Sequence, residues 1–301
     1  MKFLKGLALG LLSFLLFLSL STFGWVFMLN STIVNPDFVI REVDKLDILA
    51  LGEELLEEQV AQFGLPASYE PYVADILNSS LADLEPWMRE QADYAVHTGY
   101  DYFLGKSRYL RLDISLEPVR QSLKDNLRET ILASPPPELQ GLPSAAVELA
   151  LDEAYRQIDG QIPPSIEFDQ TTLDQEAASQ LEQVRQAIGY FQLGFKLLIA
   201  FILLLILGIV LLYREVRGAS RSLGITFLTC GVFTYLDSLI TKHFVGELIA
   251  EPTLPTPLQA WLPQVLADCL SPLEIYAIVV GVIGIALLVV SFVYRHGPPE
   301  V

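Results

Sequence analysis

The chain has 301 residues, 52% of them hydrophobic and 18% charged, and its apolar residues fall in blocks rather than evenly. That distribution excludes an ordinary soluble globular protein. The formal net charge is −17, yet residues 30–192 alone hold 29 acidic against 11 basic side chains, which excludes nucleic acid and anionic lipid headgroups as ligands of that stretch.

The first element runs from about Leu4 to Leu29 and carries no charge after Lys5. A bilayer core of about 30 Å needs about 20 apolar residues in helix. The run is about twice the length of a signal-peptide core and no convincing small-residue cleavage site follows. Residues 1–29 therefore read as an uncleaved signal anchor, with cleavage as the alternative.

An acidic domain follows, residues 30–192. Asn35-Pro36-Asp37 supplies an N-cap, a first-position proline and an acid in the first turn. The apolar spacing from Val39 to Val60 predicts a helix that ends at Gly64 and Pro66. Further helices are predicted at about 71–77, 86–103, 118–133 and 144–158. Between them, Leu110, Leu112, Ile114 and Leu116 alternate with polar residues as a half-buried strand does, and Ser165-Ile166-Glu167-Phe168 does the same. The two are expected to pair as a small ribbon. Pro135-Pro136-Pro137 is a stiff connector. The dense aromatic run Tyr100–Lys106 reads as a packing corner at a helix end. The domain contains no cysteine, so no disulfide framework supports it.

The last helix of the domain starts near Thr171 and places Leu173, Leu181, Val184, Ile188 and Phe191 on one seam of coiled-coil spacing. No proline interrupts it before Arg214, so it is expected to continue into the second span, residues 193–213, as one rod. The helix from Pro36 is one partner for the seam; the core of the domain is the other. After a basic loop, residues 214–221, come the third span (222–241), an outer loop (242–272) that carries Pro252, Pro255, Pro257, Pro263 and Trp261, the fourth span (273–294) and a tail (295–301).

Lys2 and Lys5, the three arginines of the 214–221 loop and Arg295 fall on one side of a four-span chain. The positive-inside rule puts that side in the cytoplasm and residues 30–192 outside the plasma (cytoplasmic) membrane. The fold class expected is thus an all-α membrane protein: four transmembrane helices, with a mainly helical extracytoplasmic domain between the first two. A four-span layout with one large outer loop resembles tetraspan proteins in topology only, since their loops are usually stapled by cysteines.

Ionisable residues at membrane depth are functional candidates because an unpaired charge in lipid is costly. Lys196, Asp237 and Glu274 all fall near the outer leaflet. They are expected either to form one cluster between helices, or to snorkel with only Asp237 buried. The third span is rich in small and hydroxylated residues, which suits a helix enclosed by the others. No nucleophile elbow, phosphate loop, H-E-x-x-H pair or metal-spaced cysteine pair occurs. No enzyme activity, cofactor or metal is expected. The reading is a scaffold or sensor whose partners are the lipid bilayer and another membrane or envelope protein, or itself. A subunit of an oligomeric channel or transporter is the alternative.

Overall fold

The computed structural model describes residues 2–62, 69–136, 139–169, 175–213, 215–249 and 254–293. In chain order the elements are α1 (Lys2–Ser31), α2 (Pro36–Asp44), α3 (Ile48–Gln62), α4 (Glu70–Phe103), β1 (Arg111–Ser115), α5 (Glu117–Ala133), α6 (Ser144–Gln161), β2 (Ser165–Asp169), α7 (Gln175–Tyr213), α8 (Val216–Ile249) and α9 (Thr256–Val293). They divide into two compact units: Met1–Phe38 with Gln186–Glu251 and Leu262–Val301, and Val39–Arg185 with Pro252–Trp261.

The first unit is built on α1, α7, α8 and α9, each long and apolar enough to cross a bilayer. The chain is therefore a multi-pass membrane protein. Contacts fix the directions of the helices. Ser13 meets Ser222, Ser21 meets Cys230 and Trp25 meets Asp237; the positions advance together, so α1 and α8 run parallel. Phe23 stacks on Phe195 while Leu12 faces Gly208, so α7 runs antiparallel to α1. Gly231 faces Ala277 and Gly281, and Ser291 Oγ donates to the Arg217 carbonyl at 3.2 Å, so α9 runs antiparallel to α8. The start of α1, the end of α7, the start of α8 and the end of α9 consequently share one end of this unit, the end that carries Arg217 and Arg221.

Leu16, Leu20, Ile202, Leu205, Ile209, Leu223, Cys230 and Val280 form the core of the bundle. In α8, 44% of the most apolar window is buried, against 11–22% in the other three helices, so α8 is the enclosed helix. Its composition explains this. A Cβ at Gly231 would lie 2.7 Å from the Ala277 carbonyl oxygen, and one at Gly284 would collide with the backbone of Leu228. The α8 and α9 backbones come into contact at these glycines, as small-residue packing in membranes allows.

The helices outrun the apolar runs predicted for them. α8 continues to Ile249, and α9 starts at Thr256, passing through Pro263 and Pro272. Each proline removes one backbone hydrogen bond, a loss that a well-packed helix absorbs.

Asn35 Oδ1 accepts the Asp37 N–H at 3.1 Å and so caps α2, whose chain leads from the first unit into the second. The single helix expected from Pro36 to Gly64 is two helices, because Asp47 Oδ1 accepts the Ala50 N–H at 3.0 Å and starts α3 afresh. Conversely, the helices expected at 71–77 and 86–103 are one, α4, with Pro86 inside it. The Glu85–Arg89 ion pair, 2.9 Å, spans that proline. α4 and α5 are joined by reciprocal hydrogen bonds between Ser80 and Ser122 and by Asn126 Nδ2 donating to Asp83 at 2.8 Å. β1 and β2 pair antiparallel, with Leu112 opposite Phe168 and Ile114 opposite Ile166 on one face, which is the ribbon the alternation predicts.

Candidate functional site

Asp237, Glu274 and Lys196 do not form one cluster. Asp237 is half-buried on α8 and its Oδ2 accepts the Trp25 Nε1–H of α1 at 3.0 Å. Glu274 is half-buried on α9, and its partner is Lys242 of α8, at 2.7 Å. Lys196 is exposed on α7, next to the Phe195 ring that stacks on Phe23. Two separate pairs thus tie α8 to α1 and to α9 at the end of the bundle opposite Arg217 and Arg221. Both are charge-assisted contacts, the kind that is strongest where water is scarce.

The missing partners were legible in part. Trp25 has the profile of an interface aromatic, and its indole N–H is a donor that needs an acceptor when covered. Lys242 lies one residue beyond the apolar run that ends at Thr241, so a search confined to that run stops short of it.

Hydroxyls continue the seam between α1 and α8. Ser13 Oγ and Ser222 Oγ are 3.0 Å apart, and Thr226 Oγ1 donates to the Ser222 carbonyl at 3.0 Å. Between α8 and α9 lies an open cavity of about 420 Å³, lined by Gly231, Gly281, Tyr235 and aliphatic side chains. Its lining contains no carboxylate, amine, guanidinium or imidazole. Among the described residues, no group of three histidine, cysteine or acidic side chains is placed to hold a metal ion.

The helix seam begins outside the described residues, where Leu173 lies. Leu181 and Val184 border a cavity of about 360 Å³ with Phe168 of β2, so that part of the seam meets the ribbon. Ile188 and Phe191 are half-buried farther along α7.

The aromatic run at the end of α4 is a packing corner. The Tyr102 side chain is fully buried, its hydroxyl donates to Glu182 at 3.3 Å, and the Arg185 guanidinium lies 4.9 Å from its ring centre. Gly105, at φ +75°, turns the chain out of α4 toward β1.

Across α5 and α6, Asp159 is held by Arg120 and by Lys124 at 2.6 Å. The Lys124 hydrogen bond, with that of Arg120, keeps its carboxyl below the usual range. Trp261 Nε1 donates to the Glu42 carbonyl at 2.7 Å, and Glu54 accepts the Thr256 N–H at 2.9 Å. These two contacts hold the start of α9 in the second unit.

Comparison with protein-family models, with curated proteins and with solved structures finds no match to this chain.

Proposed function

We propose that this protein is a non-enzymatic scaffold or sensor of the plasma (cytoplasmic) membrane. In this reading both termini are cytoplasmic, residues 30–192 are extracytoplasmic, and the acidic helical domain binds a partner protein or self-associates. The observation that carries the reading is the use of the ionisable groups within the bundle. Asp237 is committed to Trp25 and Glu274 to Lys242, so both serve as ties between helices, and the cavity between α8 and α9 is lined without charge. Asp237→Asn keeps an acceptor for the Trp25 indole. Its expected result is unchanged capture of partners by photocrosslinkers placed at exposed positions of the acidic domain. An ion flux in liposomes that depends on Asp237 would overturn the scaffold reading.

Exposed Lys196 favours the second reading, a subunit of an oligomeric channel or transporter. A cation on the outside of one bundle gains a carboxylate partner if copies associate in the bilayer. Native mass measurement in mild detergent separates the two. A strictly monomeric chain removes the channel version.

A further inference from the structure

At the basic end of the bundle, a second cavity of about 450 Å³ lies between α1, the end of α7 and the start of α8, lined by Ser13, Tyr213, Gly218, Arg221, Ser222 and Thr226 among others. Its chemistry is unlike that of the apolar cavity between α8 and α9. It combines one guanidinium with three aliphatic hydroxyls and a phenol. Arg221 is five residues into α8, which at about 1.5 Å per residue sets it about 7 Å inside the helix start. No carboxylate pairs with it among the described residues. The serine hydroxyls contact each other at 3.0 Å, and each oxygen keeps capacity for a further bond. Arg221 is exposed, and a guanidinium with no carboxylate partner at the mouth of a hydroxyl-lined cavity is stabilised by a bound anion.

We infer that this cavity binds the phosphodiester headgroup of an anionic phospholipid, with Arg221 as the cationic contact and the Ser13–Ser222 hydroxyls and Tyr213 beside it. The planar guanidinium matches a phosphate in a way an ammonium does not. The cavity is open rather than enclosed, so a headgroup can enter it. Free phosphate shares the headgroup chemistry and is the competing source.

The test uses the full chain in neutral detergent, titrated with phosphatidylglycerol or phosphatidylcholine and read by native mass spectrometry. Wild type is expected to retain phosphatidylglycerol preferentially. Arg221→Gln should weaken that retention about tenfold, the order of one charge-assisted contact, with phosphatidylcholine unaffected. Arg221→Lys, which keeps the charge, should fall between the two and guards against a folding defect in the glutamine variant. Arg217→Gln, at the same end of α8 but outside the cavity lining, should change retention less than twofold. Equal retention by Arg221→Gln and wild type would overturn the proposal, as would an equal loss in Arg217→Gln. Competition by millimolar inorganic phosphate that depends on Arg221 would overturn the lipid assignment.

Discussion

Replacing Gly231 with alanine adds one methyl group where two helix backbones touch. The new Cβ would lie 2.7 Å from the Ala277 carbonyl oxygen and 2.7 Å from the Gly281 amide nitrogen, whereas ordinary contact begins at 3.4 Å. Neither obstacle is a side chain that can swing away, so α8 and α9 must separate by about 0.7 Å. Overpacking of this kind costs about 1–3 kcal/mol. Alanine in a helix recovers roughly 0.5–1 kcal/mol over glycine, leaving a net loss of about 0.5–2 kcal/mol. Gly208→Ala is the internal control, because a Cβ there meets only the Leu12 methyls, at 3.9 and 4.0 Å; it should be neutral or slightly stabilising. Unfolding titrations in mixed detergent–lipid micelles measure both. Equal stability of the two variants would refute the close approach of α8 and α9.

A double-mutant cycle between Trp25→Phe and Asp237→Ala should return a coupling of about 1 kcal/mol, within the range of hydrogen bonds between membrane helices; additive losses would mean the pair does not form. Tyr102→Ala should destabilise the second unit by about 3–5 kcal/mol, as other buried aromatic truncations do, and Tyr102→Phe by about 1 kcal/mol through the lost bond to Glu182, both measured by thermal unfolding. The lowered carboxyl of Asp159 stabilises the folded form above the ordinary carboxylate range, and that contribution is lost as pH falls through the lowered folded value. Acid titration of wild type should therefore show a steeper loss of stability than Asp159→Asn; parallel curves would remove the ion pairs from the account.

Local chemistry made much of the fold legible. Four long apolar runs mark the spans, Asn35 caps α2 as its sequence context requires, and the alternation at Leu110–Leu116 and Ser165–Phe168 gives the ribbon. Boundaries set by competition between weak signals were less legible. Asp47 looks like one more acid in an amphipathic run, yet its carboxylate restarts the helix, while Pro86 looks like a stop and is spanned. The polar groups in the bundle show the same division. That Asp237 and Glu274 need partners follows from the cost of burying charge, but the choice of Trp25 and Lys242 depends on which helices are parallel and on their rotation. Spacing along one segment does not encode that. The small residues of α8 were the best guide, since glycine at 231 is explained by the backbone it faces.

The sidedness of the two ends is tested by labelling substituted cysteines in intact cells, with Cys230 and Cys269 replaced by alanine. Ser144→Cys, on the exposed start of α6, should react with a membrane-impermeant maleimide, and Arg217→Cys only after permeabilisation. Labelling of both positions from the same side would contradict a chain that crosses the bilayer between them.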